Sequence, residues 1–406
     1  MRQTRYLNYI LFFLVSPILS FFIALKKYKN PSMKNIFWIF CAFFGFCIDL
    51  NFQSGTNDAI VYVGRFYYLH DNNVSIDYLF SNFLSNRNHI EIVSDLIGFI
   101  VAQFTRDYHY LYATFGFCFG YFQSRNLDYF IRIIKNSSYD FTWLLGGFIL
   151  TIPVWYINGF DFWFATQVYI FMMLPVIIEK KYNRLYLMVI LPFIHFSFLF
   201  LIIITAFLLI FIKFENSVFV LFYFSLFSFF FDFTFFFQFL DFLPEIFSSR
   251  TSAYLNADTS VQEGGRIIWW FNNIYNLSLY FYVIYLFKTY NTILKSDSGV
   301  YRVILYSFAF VGFFNLISSV PSVGRFIYIG MSFMWGSLII VVGKIEKRIQ
   351  EHNRYITILK IMIFLAFCLN LLRYIFPLVG IGKLLSNIFT IYLFIDDDLN
   401  IGNLLF

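Results

Sequence analysis

The chain has 406 residues, of which 60% are apolar and 13% charged, with 62 phenylalanines and a net charge of +6. Soluble domains run at about 45–50% apolar and about 25% charged. Here the mean hydropathy is +0.70, so lipid must be the solvent for most of the surface, which excludes a soluble multidomain protein, a disordered chain, a collagen, a coiled coil and a secreted disulfide scaffold.

A helix needs about 20 apolar residues to cross a bilayer. In chain order the candidate segments are 6–25, 36–50, 92–104, 108–123, 141–157, 163–178, 185–212, 217–243, 267–287, 300–319, 324–342, 355–372 and 383–395. The first follows Arg2 and Arg5 as a signal peptide would. No small-residue cleavage site precedes Lys26, so it reads as a retained membrane helix. Cys41, Cys47, Cys118 and Cys368 lie in or beside apolar runs without a C-x-x-C pair and read as packing residues. The predicted fold is all-α: one polytopic membrane domain over 1–406, with roughly 10–13 helices and one or two re-entrant segments.

Lys and Arg in short loops set the orientation. Clusters at Lys26, Lys27, Lys29 and Lys34, at Lys180, Lys181 and Arg184, and at Lys344, Lys347 and Arg348 should face the cytoplasm. Weaker clusters at Arg125, Arg132 and Lys135, and at Lys288 and Lys295, agree with them. The long polar stretches 51–91 and 244–266 then face outward. Between the inside clusters at 180–184 and 288–295 the number of crossings must be even, yet three candidate segments lie there. The segment 185–212 is too long for one upright helix and carries Pro192 before His195, so it is expected to break or re-enter. The short segment 92–104 raises the same question. Irregular backbone at membrane depth needs a surrounding of protein or water, so a polar cavity is expected inside the bundle.

Asp58, Tyr62 and Arg65 recur at three- and four-residue spacing, which puts a carboxylate, a phenol and a guanidinium on one side of a helix. The same spacing also describes an amphipathic helix on the outer surface whose Asp58 only favours the helix dipole. Glu91 and Asp95 open the next apolar segment, where a carboxylate serves as a general base, as a cation ligand or as a solvated helix start. His195, in Pro192-Phe-Ile-His195-Phe-Ser197, is flanked by long apolar runs. An ionisable group there is a functional hypothesis by default, the alternative being a neutral imidazole bridging helices. Asp232 reads as a helix-pairing group. Arg250, Arg266 and Arg325 fall at the outward face, where guanidinium forks suit a diphosphate or anchor to lipid headgroups.

No Walker A run, G-x-S-x-G elbow, H-E-x-x-H or His/Cys/Asp cluster of metal-ligand type is present, and no basic tract is long enough for nucleic acid. These gaps disfavour ATP-driven transport, serine hydrolysis and zinc catalysis, and point to no cofactor and no metal.

The order of features then carries a resemblance. Gly55-Thr56-Asn57-Asp58 followed by Tyr62, Glu91 opening a membrane segment, a helix bearing Gln167, the element Phe193-Ile-His195-Phe-Ser197 and a late Arg325-Phe-Ile-Tyr328 resemble the EpsG family. These are membrane polymerases of exopolysaccharide and capsule, akin to the Wzy O-antigen polymerases. The chain departs from the family pattern at Thr166, where an arginine often precedes the glutamine, and that leaves the role of Gln167 open. The resemblance implies a multi-pass protein of the bacterial cytoplasmic membrane, with a GT-C-like bundle, that joins polyprenyl-diphosphate-linked oligosaccharide units at the outer face. It implies His195, Asp58 or Glu91 as the base, and Arg250, Arg266 and Arg325 around the diphosphate. Tyr62, Arg65, Gln167 and Tyr328 would contact substrate, with membrane lipids and a chain-length regulator as partners. A flippase of lipid-linked saccharide and a membrane acyltransferase acting on surface polysaccharide are the alternatives.

Overall fold

The computed structural model describes residues 2–50, 57–85, 91–134, 137, 139–227, 266–318, 323–345, 353–370, 378–379 and 381–391. Among them the regular structure is helical, apart from an isolated antiparallel bridge between Ile48 and Val379. Among the described residues three stretches are long and apolar enough to cross a membrane: Thr142–Glu179, Ser298–Leu316 and Val323–Lys344. Six shorter apolar helices accompany them. The chain groups into two compact units, one of 1–173, 183–199 and 367–406, the other of 174–182 and 200–366.

The first unit begins with α1 (Arg2–Val15) and α2 (Pro17–Lys26). The expected single segment 6–25 is therefore interrupted, because Pro17 cannot donate into a continuing helix and instead starts a new one. Next come α3 (Met33–Phe46), α4 (Asn57–Asp71), α5 (Ile76–Ser85), α6 (Val93–Ala102) and α7 (Tyr108–Ile133). The polar stretch 51–91 thus contains two helices; α4 buries Ala59, Val63 and Phe66 at three- and four-residue spacing.

The centre of this unit is the pairing of α3 with α7. A β-carbon on Gly45 would stand 2.1 Å from the Tyr112 carbonyl oxygen, and one on Gly116 would stand 2.1 Å from that of Cys41. Only glycine permits the two backbones to approach so closely, as small residues do between membrane helices.

After α8 (Thr142–Thr151), Pro153 precedes a 3-10 turn, Val154–Gly159, which packs on α3, α4 and α7. Helix α9 (Phe160–Glu179) follows and ends at Lys180, whose φ of 58° is left-handed. A second 3-10 stretch, Tyr182–Ile190, leads into the one-turn helix α10 (Leu191–Ile194). The expected break in 185–212 falls at His195, which is extended at φ −150° and ψ 120°, before α11 (Phe198–Phe211).

Of the expected apolar segment 383–395, residues 392–395 lie outside the described residues. The described part is helical in α17 (Ile381–Leu385), with turns after it up to 391. Here the backbone is fixed by tertiary contacts: the Asp49 N–H donates to the Leu378 carbonyl at 2.8 Å, and buried Lys383 pairs with Asp49.

The second unit contains most of α11, then α12 (Glu215–Ser225), α13 (Arg266–Lys295) and α14 (Ser298–Leu316). A 3-10 turn, Val323–Phe326, leads into α15 (Ile327–Lys344), and α16 (Asn353–Asn370) follows. Helix α14 is almost wholly buried between α12 and α15. Asp297 caps it, accepting the N–H groups of Gly299 and Val300, each at 3.1 Å, and pairs with Lys344 at 2.5 Å. Helix α11 leaves Ile203, Phe207 and Ile210 exposed along one side, and α16 does the same with Ile358, Ile361 and Phe364. Large apolar side chains presented outward in stripes suit a lipid surround. The second half of 217–243, including Asp232, lies outside the described residues.

Candidate functional site

Several ionisable residues of the first unit gather near the start of α6. Glu91 sits immediately before that helix, whose entrance is fixed by the Ile92 N–H donating to the Phe193 carbonyl at 2.9 Å. Because the chain breaks at His195, the Phe196 N–H has left the helical ladder; it donates to Glu91 Oε1 at 3.0 Å. The same oxygen is 3.9 Å from His195 Nδ1, and both side chains are largely buried.

His195 is oriented from its own loop. Nδ1 lies 2.8 Å from Ser197 Oγ and accepts the Ser197 N–H at 3.3 Å. A backbone N–H can only donate, so Nδ1 is an acceptor and the neutral ring carries its proton on Nε2. The rings of Phe162 and Phe198 stand roughly edge-on to the imidazole, at 5.3 and 6.2 Å.

A second carboxylate lies beside this pair. Asp161, in the first turn of α9, is 5% exposed. Its Oδ2 accepts the Tyr62 hydroxyl and the Ser94 hydroxyl, each at 3.0 Å, and the Tyr62 oxygen in turn accepts the Asp161 N–H at 3.3 Å. One turn further along α4, Arg65 pairs with Asp95 at 3.2 Å. The like-charge pair Glu91 and Asp95 is thereby relieved, each carboxylate having its own donor. Asp58 approaches the 3-10 turn, with Oδ2 3.7 Å from where a Gly159 β-carbon would stand.

Of the residues singled out in the sequence, Asp58, Tyr62, Arg65, Glu91 and His195 therefore meet around α4, α6 and the start of α9. Within the first unit the neighbours of the imidazole include Ser197, whose hydroxyl the ring is turned back onto, and the Glu91 carboxylate at 3.9 Å. Arg325 and Tyr328 belong to the second unit, where Arg325 is half-buried on the 3-10 turn and Tyr328 lies in the first turn of α15. Gln167 is fully buried, and Asn126 Nδ2 donates to both its backbone and side-chain oxygens at 3.0 Å. Arg266 is the first residue of α13, its side chain outside the described residues, and Arg250 lies outside them altogether.

Asp161 and Ser94 were not anticipated. The available signal was positional: Asp161 is an acid at the mouth of an apolar run, two residues after the helix-breaking Gly159. Among the described residues no group of three or more His, Cys, Asp and Glu is arranged to hold a metal ion.

A helical bundle with long apolar stretches, and an acid–imidazole pair at a broken helix, define a membrane protein with a polar site. Residues 34–378 match the EpsG family, and the chain belongs to that family. No curated protein and no solved structure matches it. The family carries a polysaccharide-polymerase-like role.

Proposed function

We propose that the protein polymerises undecaprenyl-diphosphate-linked oligosaccharide repeat units into a capsular, exo- or O-antigen polysaccharide at the outer face of the cytoplasmic membrane. The observation that carries this reading is the Glu91–His195 juxtaposition, held by the backbone N–H groups of Phe196 and Ser197 just after the helix break. In the reaction a hydroxyl oxygen of the acceptor sugar attacks the anomeric carbon of the growing chain. The bond from that carbon to the diphosphate oxygen breaks, and the diphosphate leaves with the electron pair. The hydroxyl proton passes to Glu91 as general base. His195, with its Nδ1 already accepting, acts through Nε2–H as a hydrogen-bond donor to sugar or leaving group.

Arg250, Arg266 and Arg325 are assigned to the diphosphate, whose oxygens suit guanidinium forks. Asp58, Tyr62 and Arg65 are assigned to the sugar. Outward placement of the site rests on the lysine and arginine asymmetry of the loops. The leaving group carries the energy of the transfer, so no nucleotide is consumed.

Deletion of the gene, followed by analysis of lipid-linked intermediates, tests the reading. Single repeat units should accumulate where an impermeant oxidant of sugar diols reaches them from outside. Units confined to the inner face would indicate a flippase instead. Polymer of unchanged amount and length would remove the polymerase reading.

A further inference from the structure

Three buried side chains on one short run carry polar atoms without a hydrogen-bond partner: Trp155 Nε1, Asn158 Oδ1 and Asp161 Oδ1. The residues are 6%, 8% and 5% exposed. Trp155 and Asn158 lie in the 3-10 turn Val154–Gly159, where residues three apart eclipse one another. Asp161 is three residues further on, in the first turn of α9, and stays within about 60° of the same side.

An unpaired buried polar group costs roughly 1–3 kcal/mol, and more where lipid excludes water. Three at three-residue spacing, two in the 3-10 turn and one in the helix turn after it, are therefore unusual unless something fills their bonding capacity. The combination is one indole donor with two amide or carboxylate acceptors beside an aromatic surface. Sugar hydroxyls both donate and accept, and the apolar face of a pyranose ring packs on indole. The other Asp161 oxygen is already engaged with Tyr62 and Ser94, which holds the free oxygen in a fixed direction.

We propose that Trp155, Asn158 and Asp161 form a carbohydrate subsite that takes the hydroxyls of one neutral pyranose ring. The subsite rests on the polymerase reading and deepens it. The ring it takes is the acceptor unit, because Asp161 connects through Ser94 on α6 to the segment that opens with Glu91. In that role the three residues bind and orient; the proton transfer stays with Glu91.

The test uses full-length protein in detergent and a panel of methyl glycosides of glucose, galactose, mannose and N-acetylglucosamine, read by saturation transfer to the ring protons. At least one glycoside should receive transfer that a cyclohexanol control does not. Trp155→Phe keeps an aromatic face and removes the Nε1–H donor together with the pyrrole half of the indole, and Asn158→Leu removes the acceptor at similar volume. Each should lower the signal by about fivefold or more, as expected for one lost neutral hydrogen bond, while the thermal midpoint stays close to the parent's. The proposal is overturned if no glycoside in the panel binds. It is equally overturned if both variants retain binding, or if they only raise the thermal midpoint. Should the protein bind a glycoside in this way yet join no units in a reconstituted assay, the polymerase reading fails and the subsite stands.

Discussion

Glu91 Oε1 accepts the backbone N–H of Phe196 at 3.0 Å across a sequence separation of 105 residues. One carboxylate thus both secures a chain break and stands beside the imidazole at that break. Glu91→Gln retains an acceptor oxygen and should preserve this cap. The variant should insert and accumulate normally, yet polymer should fall by about 100-fold or more, as for losing a general base. Glu91→Ala also strips the Phe196 N–H of its partner, which costs about 1–3 kcal/mol. Polymer blots alongside melting of the purified variants separate the two effects; equal melting of the Gln and Ala forms would contradict the capping role.

Ser197 supplies two contacts to His195 Nδ1, and only one depends on its side chain. Ser197→Ala keeps the backbone donor, so the tautomer should hold and activity should drop only about tenfold or less, in line with one neutral hydrogen bond. His195→Ala should abolish polymer. Nitrogen chemical shifts of histidine in the isotope-labelled protein should show His195 protonated at Nε2; a proton at Nδ1 would rule out the assigned geometry.

The close approach of α3 to α7 predicts sharply different outcomes for two glycines. Gly116→Ala drives a methyl to 2.1 Å from a carbonyl oxygen and should destabilise by at least about 1–3 kcal/mol through overpacking. Gly146, on α8, has nothing within 4 Å of an added β-carbon. Gly146→Ala should be neutral or stabilise by up to about 1 kcal/mol. Thermal melting in detergent compares them directly.

Asp297 predicts a pH response away from the proposed site. Burial raises its pKa, but Lys344, then the Val300 and Gly299 N–H groups, outweigh burial and hold the carboxyl below the ordinary carboxylate value. A depressed folded-state pKa means stability that is fully present above the unfolded carboxylate pKa and lost as pH falls through the folded one. Lys344→Met should weaken the pair by about 0–1 kcal/mol, since both groups are partly exposed, and should flatten the loss of stability at acid pH. Melting curves from neutral pH down through the carboxylate range check this, and an unchanged acid slope in the variant would contradict it.

Much of the fold was readable because lipid imposes simple rules: the apolar runs at 300–319 and 324–342 correspond closely to α14 and to the turn and helix of α15. The break at His195 was readable from Pro192 and from segment length. Less readable were features set by contacts distant in sequence. The run 383–395 is apolar enough for a span, yet among its described residues the α-helix stops at Leu385, just after Lys383, which is drawn to Asp49. At the site, Asp58, Tyr62, Arg65, Glu91 and His195 were visible as charges or aromatics at helix mouths, but their pairings were not. Asp161 escaped because nothing local distinguishes it from a helix-starting acid; its meaning comes from Tyr62 and Ser94, which reach it from two other helices.

The central claim is that Glu91 and His195 serve a glycosyl transfer between lipid-linked units. Reconstitution of the purified full-length protein in liposomes with lipid-linked repeat units as the sole substrate tests it most directly, the products being resolved by size. The account predicts a ladder of lengthened chains and released undecaprenyl diphosphate from the parent protein, with single units left intact by Glu91→Gln. A ladder of equal yield from Glu91→Gln, or movement of units across the bilayer without any lengthening by the parent protein, would contradict it.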